Sequence, residues 1–298
     1  MQFIKKETPR VAIAVTFICV RRDQSRMKTE WDDKKKILLT GVPETMLQTV
    51  FARAQETKKP NGKIRDEKAV ELVEQIDYDF TLAAKDKTMS SGVIARTIVL
   101  DKLVTEYLRK QSEAVVINLA CGLDTRCCRM KGYSHWYNLD LPETMAVRAK
   151  LLPEAGQISQ IAASAMDETW TAQVETENRP VLVVIEGLTM YLTEEHVTKI
   201  FSILATHFPG CTVLVETMNP MMVKNVREKS IEGSHARFTW GCRDGKALEA
   251  LLPGFSLIEE HSLTEGMADI LPVYHLLGKI GFIRNLSNKI IVLKTNPQ

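Results

Sequence analysis

The spacing of apolar positions changes character near residue 110. From about residue 40 to 110 the pattern is helical and offers no strands. Ala69, Val70, Leu72, Val73 and Ile76 recur three and four residues apart, and Val93, Ile94, Ile98, Leu100, Leu103, Val104, Tyr107 and Leu108 mark a second helix that Ser90 or Ser91 can cap. From residue 114 onward short apolar runs alternate with helical segments, and the runs at 115–119, 135–139, 158–161, 181–185, 212–216, 256–260 and 289–293 read as strands. Val181-Leu182-Val183-Val184-Ile185 has no polar face, as suits a strand covered on both sides in a parallel sheet. The next helix opens at Thr193 with Glu194 and Glu195 in its positive first turn, and Val197, Ile200, Phe201 and Leu204 form its apolar stripe. This predicts an α/β fold: a helical cap over residues 27–110 and a wound seven-strand sheet over residues 111–298.

Residues 1–26 stand apart. The apolar run at 11–20 follows Lys5, Lys6 and Arg10, but ten residues are half of the ~20 that cross a bilayer. Arg21-Arg22-Asp23-Gln24-Ser25-Arg26 then offers no small-residue cleavage site. The segment reads as a leader outside the fold, with Met27 as a second possible start. A net charge of +2 gives no electrostatic footprint for nucleic acid or an anionic membrane. The six cysteines lack the C-x-x-C pairs of a zinc site, so no metal is expected and a reducing cytoplasm is the simplest location. Adjacent Cys127 and Cys128 read as buried thiols on a helix.

Candidate chemistry concentrates in residues 115–143. A strand leads into Asn118-Leu119-Ala120-Cys121-Gly122-Leu123-Asp124-Thr125-Arg126, and the following strand ends in Asn138-Leu139-Asp140-Leu141-Pro142-Glu143. A small-residue turn lets the backbone approach a ligand, and an acid closing the next strand accepts ribose hydroxyls, so the pattern suits a nucleoside-bearing cofactor. Gly122 is the only glycine of the turn; Ala120 stands where another is expected, and its methyl is penalised if φ is positive. The bland alternatives are that Asp140 caps the helix near Pro142, that Asp167 is another cap, and that Arg96 is a solvated helix residue.

Five segments together resemble the leucine carboxyl methyltransferase family, which includes the tetracenomycin-type polyketide O-methyltransferases. They are Thr40-Gly41-Val42-Pro43-Glu44-Thr45, Ala95-Arg96-Thr97, Asn118 to Arg126, Asn138 to Glu143, and Ile185-Glu186-Gly187-Leu188-Thr189-Met190-Tyr191-Leu192. The resemblance runs in order over about residues 38–295 and implies a Rossmann-like class I methyltransferase sheet that uses S-adenosylmethionine. It further implies Arg96 for the methionine carboxylate, Ala120 and Gly122 in the turn, and Asp140 with Leu141 at the ribose. Met166 and Asp167 fall at the adenine side, and Glu186 along the methionine half. Tyr191 and His235 are candidates for handling the acceptor, His235 because it follows a long polar segment, 219–233, where a lid would fall.

The function this predicts is methylation of a carboxylate or hydroxyl on a small, polyketide-like acceptor, with no nucleic acid or membrane partner. Alternatives are methylation of a protein's carboxyl terminus, a nicotinamide-dependent oxidoreductase, since strand, turn and ribose acid serve that cofactor equally, and a non-catalytic cofactor-binding homologue.

Overall fold

The computed structural model describes residues 35–36, 42–225 and 237–296. The predicted leader and His235 lie outside the described residues. Strand β1 (Lys35–Lys36) pairs in parallel with β2 (Ile76–Asp77), which puts a two-residue strand into the stretch from about residue 40 to 110 expected to offer none. Helices α1 (Val42–Thr57), α2 (Glu67–Gln75), α3 (Thr81–Lys85) and α4 (Lys87–Lys110) are the helices described in that region. Asp86, not Ser90 or Ser91, caps α4, its carboxylate accepting the Met89 N–H at 2.9 Å. The earlier cap places both serines inside the helix.

Then follow β3 (Ala114–Leu119), α5 (Arg126–Arg129), β4 (Tyr133–Asp140), α6 (Pro142–Leu151), β5 (Ile158–Ala162), β6 (Val181–Ile185), α7 (Glu194–His207), β7 (Thr212–Thr217) and α8 (Pro220–Asn225). The chain closes with α9 (Gly245–Leu251), β8 (Phe255–Ser262), α10 (Thr264–Ile270), α11 (Tyr274–Leu277), α12 (Gly281–Leu286) and β9 (Lys289–Thr295). The seven-strand sheet has the order β5-β4-β3-β6-β7-β9-β8; β9 runs antiparallel to both neighbours and the other pairings are parallel.

Each central strand feeds two cores because consecutive side chains leave opposite faces. Val115, Ile117 and Leu119 join Ile200, Phe201 and Leu204 of α7, while Ala114 and Val116 join Val99, Leu100, Leu103 and Val104 of α4. A fully buried side chain such as Leu100 stabilises by roughly 1.5–3 kcal/mol. A third cluster packs Met46, Leu47 and Val50 of α1 and Leu72 of α2 against Leu123, so the cap rests on the loop that follows β3. The order 5-4-3-6 reverses direction at β3, and a switch point of this kind opens a crevice at the carboxyl ends of the strands.

Candidate active site

The crevice is built on the turn that leaves β3. Ala120 has φ +53° and Gly122 φ +48°, so two of three residues are left-handed. For alanine that conformation costs roughly 1–2 kcal/mol. Gly122 has a further requirement, because a Cβ there would stand 3.2 Å from Met46 Cβ of α1. The Gly122 N–H donates to Asp140 Oδ2 at 2.7 Å, and Asp140 Oδ1 accepts from the Leu141 N–H at 2.7 Å. Asp140 does not cap α6: the cap residue is Leu141, with no side-chain bond. Burial pushes the Asp140 carboxyl above its ordinary value, against the lowering pull of the Gly122 and Leu141 amides, Thr144 and Arg148.

Two guanidinium groups hold the carbonyl side of the same turn. Arg148 of α6, fully buried, donates to the Gly122 carbonyl at 2.8 Å and pairs with Glu154 at 2.5 Å. Arg53 of α1 donates to the Leu123 carbonyl at 2.9 Å and pairs with Asp66 at 2.9 Å. Asp66 also caps α2 and accepts from the Thr125 hydroxyl, so one carboxylate ties the cap to the turn.

Glu186, just past β6, faces two more arginines. Its Oε2 accepts from Arg126 Nη1, and its Oε1 lies 2.6 Å from Arg96 Nε. The Arg96 Nε contact lacks hydrogen-bond alignment, which leaves a buried donor unsatisfied. Arg96 Nη1 donates to Glu216 Oε2 at 2.9 Å, and the Gly187 N–H donates to the same oxygen at 2.8 Å. Arg126 also binds Asp101 at 2.7 Å and Asp124 at 3.0 Å. Burial alone would raise Glu186, yet Arg126 and Arg96 hold it below the ordinary glutamate value. Burial opposes the ionised Asp124 in the same way, and Arg126 and Arg129 overcome it and hold that carboxyl far below the usual range.

Arg53, Arg96, Gly122, Asp124, Asp140 and Glu186 of this network face a cavity of about 660 Å³, within the usual span for a small-molecule site. Of the residues singled out from sequence, Arg96, Ala120, Gly122, Asp140, Leu141, Met166, Glu186 and Tyr191 line it together. Asp167 does not; its Oδ1 accepts from the Thr169 N–H at 3.0 Å and caps a 3₁₀ turn. Tyr191 packs at a tilt against Phe238, ring centroids 5.4 Å apart. Spacing alone did not reveal Arg53, Arg148 or Glu216, whose partners are distant in sequence. Arg126 stood at the end of the turn segment without a role. A second hollow of about 770 Å³ lies along α7 and meets none of the strand-end carboxylates.

An open wound sheet with a carboxylate-edged cavity at its switch point is the architecture of nucleoside-cofactor enzymes. The sequence model of the leucine carboxyl methyltransferase family matches residues 46–205, a span that holds the turn, Asp140 and Glu186. The tetracenomycin polyketide synthesis O-methyltransferase of Streptomyces glaucescens is 35% identical over 250 residues, covering 81% of this chain and 91% of that protein. An S-adenosyl-L-methionine-dependent methyltransferase of Gibberella zeae is 30% identical over 274 residues, covering 84% and 90%. A methyltransferase-like crystal structure from Thermobifida fusca, 13% identical, covers 87% of this chain and 96% of its own with a TM-score of 0.56, a likeness of fold alone. The chain is therefore an S-adenosylmethionine-dependent methyltransferase with the class I fold. It belongs to the leucine carboxyl methyltransferase family, which sets aside the nicotinamide alternative. The residues present fit such a cofactor: the cavity has the volume, the turn brings backbone to it, and Arg96 and Asp140 both line it. Among the described residues no helix is long and apolar enough to cross a membrane.

Proposed function

We propose that this enzyme methylates an oxygen, carboxylate or hydroxyl, of a small polyketide-like acceptor. The observation that carries the reading is the 35% identity to the tetracenomycin O-methyltransferase along 91% of that protein. In this reading Asp140 receives the ribose hydroxyls on the lone pairs that the Gly122 and Leu141 amides leave available. Arg96, with Glu186 beside it, faces the methionine carboxylate, to which a planar guanidinium is well matched. Leu141 belongs to the ribose end and Met166 to the adenine side, while Asp167, outside the lining and bonded to Thr169, has no role in this reading. Helices α1 and α4 of the cap deliver Met46, Arg53 and Arg96 to the cavity.

When bound, S-adenosylmethionine would supply the sulfonium methyl: an acceptor oxygen would attack its carbon in line as the carbon–sulfur bond breaks, with S-adenosylhomocysteine as the leaving group. The chain contributes position: well-oriented partners lower such a barrier by about 7–11 kcal/mol. The arginine-paired carboxylates Glu186 and Asp124 stay ionised and hold the floor of the site in one arrangement. A carboxylate acceptor needs no base, whereas a phenol must lose its proton as the oxygen attacks. Tyr191 and His235 are the candidates for that task.

The test is transfer of labelled methyl from S-adenosylmethionine to a panel of aromatic polyketide acids, phenols and leucine-ended peptides. Label on an acid or phenol of the panel is the expected result. Label confined to a peptide's terminal carboxylate would replace this reading with the protein-directed one, and no label on any substrate would favour a cofactor-binding homologue.

A further inference from the structure

One helical turn beyond Gly122, outside the lining of the cavity, three soft or acidic donors converge. The Cys127 and Cys128 sulfurs are 3.8 Å apart, and Cys127 Sγ is 3.1 Å from Glu154 Oε1. All three donor atoms lie within 4.8 Å of one another. Two thiolates held at about 2.3 Å by one tetrahedral ion stand about 3.8 Å apart, so the sulfurs already have the required separation. Cys127 is buried and Cys128 exposed, which gives the site a wall and a mouth.

The surroundings are arranged as an outer shell. Gln160 Nε2 donates to Glu154 Oε2 at 2.7 Å, and Oε1, beside Cys127 Sγ, also accepts from Arg148 Nη2 at 2.5 Å and Asn138 Nδ2 at 3.1 Å. The same two nitrogens, Asn138 Nδ2 and Arg148 Nη2, also lie 3.5 Å from Cys127 Sγ, as outer-shell donors to a ligating sulfur would. Charge balances with and without an ion. With both thiols protonated, Arg148 cancels Glu154. With both ionised, two thiolates and the carboxylate are cancelled by Arg148 and one dication.

We propose that Cys127, Cys128 and Glu154 form a site for one thiophilic divalent cation such as zinc or cadmium, its fourth position open to solvent at Cys128. On binding, two S–H bonds break, both protons leave to solvent, and two metal–sulfur bonds and one metal–oxygen bond form, with no change of oxidation state. Sequence spacing cannot show this, because Glu154 lies 27 residues beyond Cys127.

The test is titration of the full chain with cadmium in a phosphine reductant, reading thiolate-to-cadmium charge-transfer absorption and proton release together. The expected result is saturation at about one ion per chain with about two protons released. Cys128→Ser should weaken binding at least about tenfold with the melting temperature of the ion-free protein unchanged, since its side chain is exposed. Cys242→Ser is the control. Its thiol donates to the Asp244 carbonyl as a hydroxyl would, and the titration should not change. Absence of a saturable signal, or an unaltered titration in Cys128→Ser, would overturn the proposal. Should Cys127→Ser fail to fold, the exposed Cys128 variant still decides.

Discussion

The floor beneath the glycine turn and the insertion between β8 and β9 are built on opposite principles. Under the turn, Arg53, Arg126 and Arg148 are at most 4% exposed, and each is spent on carboxylates or turn carbonyls. In the insertion, Leu276 and Phe282 are 69% and 67% exposed, with Leu271, Val273 and Ile280 also in solvent. The two regions meet at Arg96. Gly266 of α10 lies so close to Ala95 that an added Cβ would clash with its carbonyl at 2.2 Å, and Asn288 donates to Glu216, the partner of Arg96. A buried charge is tolerated only when fully partnered, so the floor is rigid and permits one geometry. An exposed apolar surface carries no such demand, and its composition is free to follow shape.

The sharpest way to break this comparison is to remove one cation from the floor. Arg126→Met leaves Glu186, Asp124 and Asp101 without their shared partner and should destabilise the fold by about 3–5 kcal/mol. Urea unfolding measures it, and a loss below 1 kcal/mol would mean that the network is not holding the floor.

Acid should separate fold from ligand binding. Asp66, Asp124, Glu154 and Glu186 are held below their ordinary values of 3.8 and 4.5 by arginines that outweigh burial, so the stability they add is complete above those values. It is lost as pH falls through them toward the folded pKa values. Asp140 runs the other way. Burial raises it above 3.8, so its contribution is present below that value and is lost as pH rises through the folded pKa. The ionised form is also the better acceptor for hydroxyls. As pH is lowered from 7, affinity for S-adenosylmethionine should therefore decline before the melting temperature does. Calorimetry beside thermal melting across the range checks this, and simultaneous decline would contradict it.

Smaller changes sharpen the contrast. Ala120→Gly removes left-handed strain of roughly 1–2 kcal/mol and adds unfolded-state entropy of about 0.4–1 kcal/mol, so a net gain of about 0–1.6 kcal/mol in unfolding experiments is expected. Phe282→Ser, on the exposed insertion, should change stability by less than about 0.5 kcal/mol, as thermal melting will report. A larger loss there would mean that the insertion is packed against something.

The sheet was legible because its central strands are short apolar runs set between helical segments: the run at 181–185 falls on β6 residue for residue, and the remaining six differ by at most two residues at either end. Asp140 and Glu186 were legible because a strand end is a place on a topology as well as in a sequence. What supports them was not. Arg148 reaches back 26 residues to Gly122, and Arg96 reaches forward 120 residues to Glu216. No periodicity encodes such a pairing, and before folding each arginine resembles any solvated helix residue. The missed cap at Asp86 and the β1–β2 pairing have a simpler cause, since one side-chain hydrogen bond or two residues of ladder leave little trace in apolar spacing.

The claim on which the rest depends is that S-adenosylmethionine binds at the turn, against Asp140. Calorimetric titration of the full chain and of Asp140→Ala tests it most directly. The account predicts one site per chain in the parent, binding about 1–3 kcal/mol weaker in the variant, and no measurable affinity of either for NAD. Equal dissociation constants for the two proteins, with the variant folded, would contradict it.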